Sequence, residues 1–350
     1  MNGPAIAKLG GMRRKPIRVD EDSLVRFTPL NPDSVYTAVC QPTRPGISLV
    51  AWAQANRELI ERKLLEHGAL LFRDFQVDTA QAFDDCISAL SGGALEYKFR
   101  ASPRTQVDPR LNIYTSTDYP KDQRIFPHNE HSYSPVFPLK IFLWCDIAPL
   151  SRGETPIGDT RAITRAIDPE VRERFARLGI MYVRNYGDGF GLPWQTVFQT
   201  DDRAQVDAYC ASVGIHTEWK ADGRLRTRQV GPALVRHPRT GETLWFNHAT
   251  FFHVSTLPAS VRDALQADFA DDDLPQNTFY GDGSPIEPTV LEHLRGLYLQ
   301  HMTEFPWRHG DVLLLDNMLS VHARNEYDSP RRILVSMAEA LNSQDVALKP

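Results

Sequence analysis

Cysteine is scarce in this chain: four among 350 residues, Cys40, Cys86, Cys145 and Cys210, far apart and with no CxxC pair. That spacing speaks against a disulfide framework and predicts free thiols in a reducing compartment, with the cytoplasm as the default location. An excess of positive charge is also missing. Lys and Arg number 39 against 44 Asp and Glu, for a net charge of −5, which argues against a nucleic-acid partner and its basic stripe. No run of 18 apolar residues occurs, so no membrane partner is expected. The first twenty residues are basic around Arg13, Arg14 and Lys15 but lack an apolar segment, so they do not read as a secretory signal. What remains is ordinary for a globular protein, with 42% hydrophobic and 24% charged residues, and excludes a disordered or fibrous chain.

Residues 1–47 are rich in Pro, Arg and Asp and are expected to form an N-terminal arm; residues 48–350 are expected to form one domain. Residues 48–67 have helical spacing, with Leu59, Ile60, Leu64 and Leu65 on one side and Gly68 as the stop. The apolar run at 69–72 reads as a buried strand, and a second helix is predicted over 79–90. Beyond Leu111 short strands dominate, at 113–115, 140–147, 180–183, 233–236, 243–247, 312–315 and 332–337. Helical segments are predicted at 169–178, 205–213, 258–270 and 289–302, all within a helical insertion of about 160–305. The expectation is a mainly β sandwich or barrel with helical decoration.

The sharpest chemistry lies in His128-Asn129-Glu130. Residues i and i+2 of a strand face the same way, so both side chains can reach one ion. Two imidazoles and one carboxylate, with the opposite positions open, suit a non-haem Fe(II) oxygenase, and His322 is the candidate second histidine. Eleven His and 44 acids in 350 positions make about one or two His-x-acid pairs by chance, so context must choose among three. His309-Gly310-Asp311 reads as the turn opening the strand 312–315. His216-Thr217-Glu218 reads as carrying a solvated loop histidine. His131, at an odd offset, is expected to point away from His128 and Glu130.

An iron oxygenase with three protein ligands needs a co-substrate that supplies electrons. 2-Oxoglutarate does so by chelating the metal through its keto-acid end while its far carboxylate meets an arginine and a hydroxyl. The planar guanidinium fork matches a carboxylate. Arg332 begins an apolar strand ten residues after His322, sharing a face with Leu334 and Ser336. An arginine there is expensive unless paired, and a co-substrate carboxylate or a structural ion pair would each serve.

Together, His128-x-Glu130, Gly153-Glu154-Thr155-Pro156, residues 310–317, His322 and Arg331-Arg332-Ile333 resemble the taurine dioxygenase (TauD/TfdA) superfamily of Fe(II)/2-oxoglutarate enzymes. Residues 114–120, 128–133 and 280–286 are similar to its SyrP-like branch, associated with β-hydroxylation in non-ribosomal peptide pathways. The likeness covers roughly residues 68–338. It implies a double-stranded β-helix (jelly-roll) core, Fe(II) held by His128, Glu130 and His322, O2 as oxidant, and 2-oxoglutarate anchored by Arg332 with Thr155. Two departures stand out: Glu130 replaces the commoner Asp, and Ser336 falls where taurine dioxygenase carries a sulfonate-binding arginine, which speaks against taurine.

The implied substrate is a small amino-acid-like molecule, free or on a carrier protein. Arg100, Arg104, Ser116 and Asn247 are the candidate contacts, with solvated loop charge as the alternative for the two arginines. Hydroxylation of an unactivated C–H, most simply at the β-carbon, is the expected reaction, and desaturation or epoxidation would use the same chemistry. A halogenase would need the Glu130 position vacated. A non-catalytic cupin-like protein would not be expected to keep the whole set of His, Glu, His, Arg and Thr.

Overall fold

A strand with apolar residues on both faces needs cover on both sides, and Val312–Asp316 (Val-Leu-Leu-Leu-Asp) is such a strand, buried throughout. The computed structural model describes residues 24–96, 104–116, 119–187 and 192–348. In it this strand lies at the centre of a seven-stranded sheet, between Ala69–Phe72 and Val136–Ile147 and antiparallel to both. Arg332–Asn342 and Tyr114–Thr115 continue the sheet on one side. Val312 and Leu314 face the N-terminal helices, where they join Trp144, Phe142, Leu334, Phe83 and Trp52 in one cluster. Leu313 and Leu315 face the other way, into a second cluster with Ile141, Leu143, Ile333, Val335 and Met337.

That second cluster also holds Ile157 of the smaller, four-stranded sheet, whose strands run in the order Met302–Thr303, Ile157–Asp159, Ser320–Arg324, Ile125–His128. The two sheets and the apolar layer between them form the jelly-roll core. The expectation for fold class holds.

Three expectations change in detail. Residues 24–47 are no arm over the fold: Val25–Pro29 and Ala38–Pro42 add two strands to the large sheet, the second parallel to Ala69–Phe72. Their terminal prolines sit where a strand ends, which permits Pro but disguises the strand in the sequence. The helix expected over 48–67 is two, Leu49–Ala55 and Arg57–His67. Asn56 breaks it and closes the first turn back through its side-chain amide, 2.9 Å from the Trp52 carbonyl. Residues 160–301 are not only helical. They contain a second four-stranded antiparallel sheet, in the order Gln276–Tyr280, Ile180–Tyr186, Leu225–Gly231, Ile215–Trp219, besides the helices. No described helix is long and apolar enough to cross a membrane.

Gly68 joins the helical layer to the strands Val312–Asp316 and Ser320–Arg324. Its left-handed conformation (φ 72°) ends Arg57–His67, and its carbonyl accepts from Asp316 N at 3.0 Å and Ser320 Oγ at 2.8 Å. A Cβ there would lie 3.0 Å from the Tyr36 ring and 3.2 Å from Ser320 Oγ, so glycine is required on both counts.

The third His-x-acid pair is explained by packing. Asp311 is buried and accepts from Arg73 Nε and Nη2 at 3.0 and 2.7 Å, while Arg73 also donates to the Pro306 carbonyl. Asp311→Ala strands a buried guanidinium, so unfolding in urea should show a loss of about 3–5 kcal/mol. A loss below about 1 kcal/mol would show that the pair behaves as an exposed one.

Candidate metal centre

Among the described residues one group of three side chains could share an ion: His128, Glu130 and His322, with ligand atoms all within 4.8 Å of one another. The small sheet builds it. His128 ends the strand Ile125–His128, and His322 lies directly opposite it on the antiparallel strand Ser320–Arg324. Facing residues of such a pair bring their side chains together, and the two rings stand 4.5 Å apart between centroids. The expected alternation puts Glu130 on the same side, while Asn129 turns to the opposite side and is fully buried.

Asparagines hold this arrangement. Asn317 accepts from Glu130 N at 2.7 Å and donates to the carbonyls of Glu130 and Pro138, both at 2.8 Å. Asn129 Nδ2 donates to the carbonyls of Asn317 at 2.7 Å and Ser320 at 3.0 Å. The segment with two ligands is thus clamped to the turn that leads into the third. Asp316 caps that turn, accepting from Met318 N and Leu319 N, and takes a further hydrogen bond from the buried His237 at 3.0 Å.

The donor atoms fit a small divalent ion. Glu130 Oε2 is 3.9 Å from His128 Nε2 and 3.6 Å from His322 Nε2, and two donors each about 2.1 Å from one ion can stand up to about 4.2 Å apart. His128 donates from Nδ1 to the Phe126 carbonyl at 2.9 Å, which leaves the Nε2 lone pair facing Glu130, the usual arrangement for a ligating imidazole. Burial pulls the His128 pKa down to about 3, helped by His322, so the ring is neutral at physiological pH. Burial alone would raise the Glu130 pKa, but Arg104 and the neighbouring histidines overcome it and hold the carboxyl well below its usual range. The set is two imidazoles, that of His128 neutral, and one ionised carboxylate.

Other expected residues fall differently. His131 does not point away: it sits just past the strand in a left-handed conformation (φ 55°), and its Nε2 is 3.2 Å from Glu130 Oε1. Strand alternation fails there because the strand has ended. Arg104 lies on Glu130, with Nη2 3.0 Å from both carboxylate oxygens. Asn247 is buried, donating to the Ala233 carbonyl and accepting from Ala249 N, both at 2.9 Å, so its amide shapes a turn. Its neighbour His248 is the one that meets the site, edge-on to His128 at 5.9 Å, while Phe251 stacks on His128 at 4.4 Å. Ser116 is half-buried beside Arg332–Asn342, donating from its backbone to Ile333. Arg100 lies outside the described residues. His216 is exposed on the strand Ile215–Trp219 rather than in a loop, and Glu218 pairs there with Lys220, Arg226 and Arg228.

The arginine expected beside Thr155 is not Arg332. Arg332 is exposed and pairs with Asp146. Leu334, two residues on, packs with the N-terminal helices and away from the small sheet. Arg331 continues the opposite face, that of Ile333, Val335 and Met337. It is half-buried, donating to the Gly153 carbonyl at 2.8 Å and reaching Thr155 Oγ1 at 3.4 Å. Gly153 makes room for it, since a Cβ there would come within 3.1 Å of the Arg331 stem. Burial lowers the Arg331 pKa to about 10, still cationic at neutral pH. Thr155 also accepts from Trp307 Nε1 at 3.1 Å.

Two histidines facing each other on one strand pair of a jelly roll, with a carboxylate just past the strand end, match the class of Fe(II) oxygenases with a 2-His-1-carboxylate site. The family model of the taurine catabolism dioxygenase TauD, TfdA family matches residues 26–338, and the chain belongs to that family. It is a 2-oxoglutarate-dependent dioxygenase, with Fe(II), 2-oxoglutarate and O2 as its cofactor and co-substrates. The chain is 36% identical over 303 residues to the dapdiamide synthesis protein DdaC of Enterobacter agglomerans, covering 84% of this chain and 92% of that one. It is 30% identical over 309 residues to a clavaminate synthase-like protein of Arabidopsis thaliana, covering 84% and 89%. In fold it is similar to PvcB, an Fe, α-ketoglutarate-dependent oxygenase from an isonitrile synthetic pathway, at a TM-score of 0.55 and 16% identity over 97% of this chain and 98% of that one. It is likewise similar to AAD-2 solved with Mn(II) and N-oxalylglycine, at a TM-score of 0.52 and 12% identity over 93% and 98%.

Asn317→Ala removes three hydrogen bonds and leaves the Glu130 backbone unpaired in the interior. It should destabilise the fold by about 2–4 kcal/mol and weaken Mn(II) or Fe(II) binding roughly 10–100-fold, as read by urea unfolding and titration calorimetry. Unchanged metal affinity would show that Glu130 is positioned by something else.

Proposed function

We propose that this dioxygenase hydroxylates an unactivated C–H, at the β-carbon of an amino acid or amino-acid-derived molecule, free or carrier-bound, in the biosynthesis of a specialised metabolite. The observation that carries the site assignment is the set of two imidazoles and one ionised carboxylate brought together in the core, with Arg331 and Thr155 in the same core. The likeness to DdaC, named for dapdiamide synthesis, supports the metabolic setting. Four cysteines that are all buried and free support a reducing, cytoplasmic location.

His128, Glu130 and His322 would hold Fe(II), which supplies dioxygen activation against the keto acid. The chain's residues provide the rest. Asn317 and Asn129 fix the ligand segment, and Arg104 orients Glu130 through both of its oxygens. Arg331 offers the far carboxylate of 2-oxoglutarate a charged partner. The Thr155 hydroxyl already accepts from Trp307 and Arg331, so its own hydrogen is left for that carboxylate. His248 and Phe251 wall the His128 side and exclude water. Glu130 fills the position a halide would need, which favours oxygen insertion over halogenation.

Two variants separate the arginines. Arg331→Ala should weaken 2-oxoglutarate binding by about 2–5 kcal/mol, while Arg332→Ala leaves it within about 0.5 kcal/mol, as for a surface change. Thr155→Val should cost about 1 kcal/mol. Calorimetry with Mn(II)-loaded protein reads all three, and a larger effect at Arg332 would reverse the assignment.

The reaction itself is tested by succinate release and product mass spectrometry, with Fe(II), 2-oxoglutarate and a panel of free and carrier-bound amino acids. His128→Ala and His322→Ala should abolish turnover and metal binding with the fold retained. If no amino acid or derivative stimulates 2-oxoglutarate consumption, the substrate class is wrong.

A further inference from the structure

The insertion reaches the turn that serves the candidate metal centre. Its strands Leu234–Arg236 and Thr243–Trp245 pair as a separate two-stranded hairpin. Val235, Leu244 and Phe246 pack there in one cluster with Met318 and Leu319. The last two belong to the turn between Asp316 and Ser320, which carries Asn317 and opens the strand of His322. Connecting turns usually lie on the surface, yet His237, the first residue after Leu234–Arg236, is fully buried.

Its ring is engaged at both nitrogens. Nδ1 accepts from Arg239 N at 3.3 Å and from Thr240 N at 3.0 Å, which closes the hairpin turn and leaves the ring proton on Nε2. Nε2 lies 3.0 Å from Asp316 Oδ2 and donates to it. The other oxygen, Oδ1, accepts from Met318 N at 3.0 Å and Leu319 N at 3.1 Å. The buried carboxylate of Asp316 thus spends one oxygen on its own turn and one on the hairpin. Arg239 pairs with Glu61 and with Glu339, so the hairpin turn is tied to the core on its outer side as well.

We propose that His237 is a positioning residue of the metal centre. Its hydrogen bond orients the Asp316 carboxylate, which sets the turn 316–319 and, through Asn317, the place of Glu130. His237 acts through Asp316 and not on the ion, so the insertion, besides the small sheet, governs metal affinity. The proposal rests on the metal-site reading above and deepens it.

Asparagine and glutamine separate the two roles of the ring. His237→Asn keeps an acceptor near the place of Nδ1 for the turn but loses the donor to Asp316. His237→Gln keeps a donor near the place of Nε2 but loses the acceptor. Asp316→Asn keeps the Oδ1 cap and turns an N–H toward the Nε2–H of His237, which removes the same contact from the other side. The full-length, metal-free proteins are titrated with Mn(II) by calorimetry, and their unfolding in urea is followed in parallel. His237→Asn and Asp316→Asn should each weaken Mn(II) binding roughly tenfold, the lower end for partners outside the ligand set. His237→Gln should bind Mn(II) nearly as the unaltered chain does. A role confined to the fold would instead lower the unfolding midpoint and leave the affinity of the folded protein unchanged. Unchanged Mn(II) affinity in folded His237→Asn or Asp316→Asn protein, or an equal loss in His237→Gln, would overturn the proposal. Should His237→Asn fail to fold, Asp316→Asn decides by the same measurement. An unaltered chain that binds no Mn(II) would overturn the metal-site reading together with this proposal, whereas unchanged affinity in the variants removes this proposal alone.

Discussion

The candidate metal centre depends on a carboxamide clamp. Asn317 pairs with both backbone groups of Glu130, and Asn129, between the two proximal ligands, pairs back to the carbonyls of Asn317 and Ser320. Neither asparagine touches the ion position, yet each closes the contact between the segment of His128 and Glu130 and the turn leading to His322. A strand pair alone would align His128 with His322 but leave Glu130, beyond the strand end, without a fixed conformation. Since an unpaired buried backbone group is costly, the asparagines leave the segment with one well-satisfied arrangement.

The same burial tunes the donors. Imidazoles shielded from water lose their proton easily, and burial accordingly lowers His128 and His248. A carboxyl shielded from water would be expected to keep its proton, but Arg104 bridges both Glu130 oxygens and reverses the outcome. His128 and Glu130 are thus unprotonated near neutral pH, the state in which each can bind a cation. Arg104 achieves this without occupying all of the carboxylate's lone-pair positions, which number about four.

Much of this was legible in the sequence wherever a pattern repeats. The strand 312–315, the helix ending at Gly68 and the His128-x-Glu130 spacing all follow from period and punctuation. Three features were not. The strands 25–29 and 38–42 are short and end in proline, so they lack the alternation that identifies a half-buried strand. His131 obeys turn geometry rather than strand geometry, and where a strand stops is the least readable property of a sequence. Asn247 and His248 are adjacent polar residues, and only the turn that consumes the amide of Asn247 shows which of them meets the site.

The adjacent arginines show what sequence alternation can and cannot decide. Alternation groups Arg332 with Leu334, but it gives no way of knowing which face looks toward the small sheet. That follows only from the partners: Ile333, Val335 and Met337 pack in the layer containing Ile157, so Arg331, on their side, enters the core. The inserted sheet repeats the problem with three arginines. Arg226 and Arg228 face carboxylates on one side, and Arg184 faces tyrosines on the other. In both sheets one arginine lies against rings or aliphatic side chains while another faces a carboxylate, and burying a charge in that way requires a close polar contact to compensate its desolvation. Composition along the strand does not reveal that difference; the cover on each face does.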